Sequence, residues 1–109
     1  MTHWLFDGEP ADSVPIADRG FQYGDGLFET IAVRGGEPRF LDLHLRRLVD
    51  GLARLGIPAP AATTLDTELR QVAAGCDHGA AKIIVTRGTG QRDKPVAPSP
   101  IWLWPVQPS

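Results

Sequence analysis

Apolar residues recur along this chain with two distinct periods. Over residues 27–34, "LFETIAVR", hydrophobic and polar side chains alternate and β-branched residues gather toward the end, which predicts a strand. The Gly35-Gly36 pair predicts a turn and "EPRFL" a short returning strand, so a hairpin is expected here. Leu41, Leu45, Leu48, Leu52 and Leu55 then recur at spacings of four and three, the stripe of an amphipathic helix over "LDLHLRRLVDGLARLG". Gly56 supplies its C-cap and Pro58 prevents its continuation. A second helix is predicted to start near Thr63 or Thr64, with Leu65, Leu69 and Val72 facing inward and Gly75 or Gly79 ending it.

The flanking segments read as strands and loops. "HWLFDG" is a short strand closed by an Asp7-Gly8 turn, and "PADSVPIADRG" a loop rich in Pro, Asp and Ser. "AAKIIVTRG" is a buried strand with Lys82 near its start, "TGQRDKPVAPSP" a loop, and "IWLWPV" a final strand. The order β-β-β-α-α-β-β predicts an α+β fold, an antiparallel sheet with two helices. One stretch has no period at all. In "DRGFQYGDG" three glycines, Gly20, Gly24 and Gly26, fall within seven residues just ahead of the alternating strand. They fit a turn that uses positive φ angles, or a place where backbone amides and Tyr23 approach a ligand closely.

Composition narrows the class. A chain of 109 residues with 42% hydrophobic and 22% charged residues suits one globular domain. The net charge of −2 and pI near 5.8 give no basic excess, so neither nucleic acid nor an anionic membrane is expected as a partner. Cys76 is the single cysteine, which excludes an intrachain disulfide and fits a reducing, cytoplasmic setting. "MTHWLFDGEP" lacks the basic start and apolar run of a secretory signal, and no stretch approaches the roughly 20 apolar residues of a membrane span. Nine arginines stand against two lysines, Lys82 and Lys94, which directs attention to anion binding.

Several residues could carry chemistry. "GDGLFE" departs from the dinucleotide fingerprint by placing glutamate at its last glycine, and no G-x-x-x-x-G-K phosphate loop is present. His3, His78 and Cys76 show no metal-ligand spacing, and the three histidines support no Ser-His-Asp arrangement. His44 and Arg47, three apart, share a helix face beside the leucine stripe. An arginine there either reaches water or an acid, or serves as an anion clamp. Lys82 is either an edge residue in solvent or the holder of a substrate carboxylate. Arg87 and Arg92 bracket "GTGQ" as a second cationic patch or as part of a solvated loop. The residues by themselves establish an α+β domain with arginines suited to an anion.

Taken together, "DRGFQYGDGLFET", "FLDLHLRRL" and "KIIVTRGTGQR" resemble the opening of the fold-type IV pyridoxal-phosphate enzymes. These include branched-chain and D-amino-acid aminotransferases and 4-amino-4-deoxychorismate lyase, and the lyase branch is the most similar. The resemblance implies that Arg47 holds the phosphate of pyridoxal 5'-phosphate and that Tyr23, Phe28 and Thr30 line the substrate side. It further implies that Lys82 receives a substrate carboxylate and that Arg87 and Arg92 face a small acidic substrate. "GQRDK" stands where the lyase branch has "GGRGY". The lysine that carries the cofactor lies, by the same resemblance, in a larger second domain beyond residue 109, so no catalytic residue is expected within this chain. Residues 1–104 would then be the small N-terminal domain and 105–109 the opening of the interdomain linker. Homodimerisation is implied as well. The parent enzyme would form 4-aminobenzoate and pyruvate on the folate route, with an aminotransferase as the rival activity. A standalone, non-catalytic binding module is the alternative of another class.

Overall fold

The computed structural model describes residues 5–88 and 101–106. Six strands form one antiparallel sheet: β1 (Leu5–Phe6), β2 (Glu9–Pro10), β3 (Gly26–Arg34), β4 (Glu37–Pro38), β5 (His78–Thr86) and β6 (Ile101–Val106). Their spatial order is β2-β1-β6-β5-β3-β4. The centre is the long pairing of β3 with β5, in which Gly26 lies opposite Thr86, Thr30 opposite Lys82 and Arg34 opposite His78. Both hairpin turns use left-handed backbone: φ is 53° and 80° at Asp7 and Gly8, and 59° and 78° at Gly35 and Gly36, as two-residue turns between twisted strands require.

Helices α2 (Leu41–Leu55) and α3 (Ala62–Ala73) cover one face of the sheet. The leucine stripe does what its period predicts. Leu41, Leu45, Leu48 and Leu52 are buried against Ile31 and Val33 of β3, while Leu65, Leu69 and Val72 of α3 complete the core with Ala81, Ile83 and Val85 of β5. Leu55, the last of the stripe, is exposed. The α+β class, the antiparallel sheet and the two long helices stand as expected from the sequence.

Some local readings change and others hold. A five-residue helix, α1 (Arg19–Tyr23), occupies the glycine-rich stretch that the sequence presented as a turn; it is too short to leave a period. Helix α3 starts at Ala62, beside the expected Thr63, behind an extended Ala61. It stops at Ala73, so Gly79 does not end it; β3 pairs along its full length and draws His78 and Gly79 into β5. Lys82 therefore stands at mid-strand, not near the start. Strand β6 runs through Pro105 and Val106, paired with Ala81 and Ala80, as expected of "IWLWPV". The expected loop over residues 89–100, and residues 107–109, lie outside the described residues.

One core position is electrostatically costly. Glu68 of α3 is buried, and its Oε1 has no hydrogen-bond partner among the described residues. A Cβ added at Gly8 would stand 3.2 Å from that oxygen, so the carboxyl abuts the β1–β2 turn. Burial, with repulsion from Asp7, lifts its pKa above the ordinary 4.5. An acid with a raised folded-state pKa supports the fold below its unfolded value and loses that support as the pH rises. Replacing Glu68 by Gln, which keeps the shape and removes the charge, is expected to stabilise the protein by about 1 kcal/mol at neutral pH, with the gain fading toward acid. Thermal unfolding of both forms at pH 4.5 and pH 7.5 reads the difference.

Candidate active site

Strand β3 sorts the candidate residues onto two faces. Glu29, Ile31 and Val33 point into the helix-covered core, whereas Phe28 and Thr30 point to the opposite, open face. Directly opposed residues of an antiparallel pair share a face, so Lys82, opposite Thr30, joins that open side. Its Nζ lies 4.6 Å from the centroid of the Phe28 ring, a cation–π contact that holds the ammonium beside an aromatic wall. Phe28 is 60% exposed. The structure thus brings Phe28, Thr30 and Lys82 together as a cationic, aromatic-walled patch.

Tyr23 closes α1, which its neighbours fix at the ends of the same strands. Asp18 caps α1: its Oδ1 accepts from the Gly20 amide at 2.7 Å and the Phe21 amide at 3.2 Å, and its Oδ2 accepts from Thr86 Oγ1 at 2.9 Å. Gly24 ends the helix at φ 66°. The glycines therefore serve different ends. Gly24 supplies a left-handed cap, while Gly20 and Gly26 allow close approach to β5, where an added Cβ would meet Thr86 Cγ2 and the Val85 carbonyl respectively. Tyr23 is 67% exposed, with the Arg19 guanidinium 4.8 Å from its ring centroid.

Arg87, expected from the resemblance to face a substrate, makes three hydrogen bonds within the fold. Its Nε donates to Asp25 Oδ2 at 2.8 Å, Nη1 to the Gly56 carbonyl at 3.2 Å and Nη2 to the Leu55 carbonyl at 2.9 Å. A guanidinium suits those carbonyls, since the C-terminal end of a helix carries partial negative charge. Arg87 is a clasp joining the start of β3 to the end of α2. Asp25 also accepts from Arg19 Nε at 3.0 Å. Arg92 lies outside the described residues.

Arg47 meets β3 from the helix side. Its Nε donates to Glu29 Oε1 and Oε2 at 3.2 and 3.0 Å, and its Nη2 to Oε1 at 2.9 Å. His44 Nδ1 donates to the same Oε1 at 2.8 Å. Glu29 is 8% exposed, yet the Arg47 side chain is 75% exposed. The arginine does pair with an acid, as one reading of the sequence had it. That pairing uses Nε and one Nη2 hydrogen, which leaves three of the five guanidinium donors without a partner among the described residues. Arg47 also lines a cleft of ≈ 310 Å³ with Phe40, Leu43 and His44. An oriented guanidinium with free donors beside an apolar cleft fits a phosphate-bearing group.

Glu29 and Asp18 were not singled out by the sequence reading. A signal existed for Glu29: it occupies the same alternating phase as Leu27, Ile31 and Val33, an acid where an apolar residue belongs. Burial pushes the Glu29 carboxyl up, but hydrogen bonds from Arg47 and His44 outweigh it and hold the pKa below 4.5. Asp25 is likewise held below 3.8, where bonds from Arg87 and Arg19 outweigh burial. An acid with a lowered folded-state pKa stabilises the fold above its unfolded value, and the contribution disappears as the pH falls through the folded one. Stability is therefore expected to drop as the pH goes below about 4.5. Asp25→Asn should flatten that slope in acid unfolding followed by circular dichroism.

Among the described residues no group of three or more His, Cys, Asp or Glu could hold a metal ion, and no helix is long and apolar enough to cross a membrane.

Residues 26–108 match the family model described as "Amino-transferase class IV". The chain is similar to an aminodeoxychorismate lyase of Vibrio harveyi, 35% identical over 89 residues, which cover 82% of this chain and 32% of that protein. It spans about a third of the length of that curated relative. Among solved structures it is similar to 4-amino-4-deoxychorismate lyase from Pseudomonas aeruginosa, with 46% identity, a TM-score of 0.82, and coverage of 96% of this chain and 39% of the other. It is also similar to the PLP-bound form of a hypothetical aminotransferase from Mycobacterium tuberculosis, with 26% identity, a TM-score of 0.78, and coverage of 95% and 38%.

Proposed function

The chain belongs to the class IV aminotransferase family, and on that basis we propose that it is the small N-terminal domain of a pyridoxal-phosphate enzyme acting on a small acidic amine. The reading favoured here is 4-amino-4-deoxychorismate lyase, releasing 4-aminobenzoate and pyruvate. The observation that carries it is the 46% identity to the Pseudomonas aeruginosa lyase across 96% of this chain. A larger second domain, holding the lysine that carries the cofactor, would complete the enzyme. This chain by itself is then inactive.

Pyridoxal 5'-phosphate, when bound, supplies an electron sink for bonds at the amine-bearing carbon of the substrate. This domain's residues bind and orient. Arg47 holds the phosphate through its free guanidinium donors, a role suited to a planar fork of N–H groups. Lys82, fixed beside Phe28, receives a substrate carboxylate, while Thr30 and Tyr23 border the same side. Phe28 excludes water from the face against which the substrate rests.

The test is to incubate the full-length protein, loaded with pyridoxal 5'-phosphate, with 4-amino-4-deoxychorismate. Release of 4-aminobenzoate and pyruvate in equal amounts supports the lyase. Amino transfer from a D- or branched-chain amino acid to a keto acid, without 4-aminobenzoate, would replace it by the aminotransferase reading. An intact mass near 11.8 kDa for the cellular protein would remove both for this chain and leave a binding module.

A further inference from the structure

We propose that Glu29 is a positioning residue that aims the Arg47 guanidinium at the cofactor phosphate, with His44 bracing Glu29 in turn. This rests on the reading above, that Arg47 takes the phosphate.

The two partners of one ion pair differ widely in exposure. A surface arginine moves among many rotamers, and fixing it for a ligand costs conformational entropy. Arg47 is mostly in solvent, but its inner edge is gripped by a carboxylate that is itself nearly buried. Glu29 is held from two directions: it stands on β3 opposite Ile83 of β5, and His44 Nδ1 donates to its Oε1. Two nitrogens of Arg47 grip this anchor side-on, Nε spanning both oxygens and Nη2 reaching Oε1. Such a grip fixes the plane of the guanidinium as well as its position. The remaining donors are the two Nη1 hydrogens and the second on Nη2, and Arg47 lines the cleft formed with Phe40, Leu43 and His44.

A plain structural ion pair is the competing account. It explains the position poorly. An exposed arginine contributes little to stability through such a pair, and a carboxylate on a core-facing position of β3 carries a desolvation cost that an apolar residue would avoid. Placing a negative charge behind a phosphate site also opposes the phosphate directly. The two effects have opposite signs, so they can be separated. If orientation dominates, removing Glu29 weakens phosphate binding; if repulsion dominates, removing it strengthens binding.

The experiment measures dissociation constants of pyridoxal 5'-phosphate and of pyridoxal, which lacks the phosphate, by absorbance titration of the full-length apo-protein. Wild type, Glu29→Ala, Glu29→Gln, Arg47→Ala and the Glu29→Ala/Arg47→Ala double variant are compared. Glu29→Ala is expected to weaken pyridoxal 5'-phosphate about tenfold and to leave pyridoxal unchanged. Gln keeps one acceptor, so Glu29→Gln should lose only about threefold on the phosphorylated probe. The double variant should bind no worse than Arg47→Ala alone, since the two residues act as one unit. Unchanged or tighter pyridoxal 5'-phosphate binding in Glu29→Ala, equal losses on both probes, or additive losses in the double variant would each overturn the proposal. Should Glu29→Ala not fold, Glu29→Gln decides by the same selectivity. Unchanged binding in Arg47→Ala removes the phosphate role of Arg47 itself, and this proposal with it. A loss in Arg47→Ala with none in the Glu29 variants removes only the positioning role.

Discussion

Replacing Arg47 by alanine is expected to lower the retention of pyridoxal 5'-phosphate by the full-length protein about tenfold or more. A guanidinium presents donors in a fixed fork that matches phosphate oxygens, and three of the five donors of Arg47 have no partner among the described residues once Glu29 is satisfied. Pairing with Glu29 also raises the pKa of Arg47 further above its ordinary value, so the cation persists at every working pH. Arg47 is exposed and its removal leaves no cavity in the core, but it takes the main partner from the buried Glu29 carboxylate, so a loss of stability should accompany the loss of cofactor affinity. Dialysis of the loaded protein, followed by absorbance of the retained cofactor, reads it. Arg47→Lys keeps the charge but not the fork, and should recover part of the loss only. Equal retention by wild type and Arg47→Ala would leave Arg47 as a surface partner of Glu29 and nothing more.

Gly20→Ala should be among the most destabilising single changes, even though alanine is the better helix former. A Cβ at position 20 would stand 2.2 Å from Thr86 Cγ2 and 2.8 Å from Thr86 Cβ. Thr86 cannot turn aside cheaply. It is fully buried, its Oγ1 donates to Asp18 Oδ2 and it accepts from the Gly88 amide at 3.0 Å. Relief therefore requires moving α1 off β5 and disturbing the Asp18 cap. Overpacking of this kind costs about 1–3 kcal/mol, against a helix-propensity gain of about 1 kcal/mol, so a net loss of up to about 2 kcal/mol is expected. Gly75→Ala is the control. Nothing lies within 4 Å of its added Cβ, and its effect should stay within about 0.5 kcal/mol. Denaturant midpoints of the three proteins give the comparison; similar midpoints for Gly20→Ala and wild type would mean that α1 is not held against β5 in solution.

The sequence by itself determined the scaffold. Leucines at spacings of four and three can bury one stripe only as a helix, and the alternation over residues 27–34 can bury one face only as a strand. Those periods place α2, α3, β3 and the core without reference to anything distant. The short helix α1 was not legible, because five residues carry no period and its cap depends on Thr86, far along the chain. Of the two ends open for α3, the helix stops beside Gly75, and the pairing of β3 with β5 excludes Gly79 by drawing it into the sheet.

The site divides in the same way. His44 and Arg47 sit on one helix face by spacing alone, and the motif resemblance marks Phe28, Thr30 and Lys82 as neighbours in purpose. Tertiary structure decided what each one faces. Strand register sets Lys82 opposite Thr30 and near Phe28, while the pleat sends Glu29, the residue between Phe28 and Thr30, through to the other side. There Glu29 meets two donors that α2 delivers. Arg87 shows the converse: two carbonyls at the end of α2 and Asp25 converge on it, and no local pattern announces that three separate segments will meet at one guanidinium. Local periodicity fixes which face a residue occupies, because it depends on the chain's own geometry. Which charges meet across the fold depends on register and packing between segments distant in sequence, and only the assembled structure supplies those.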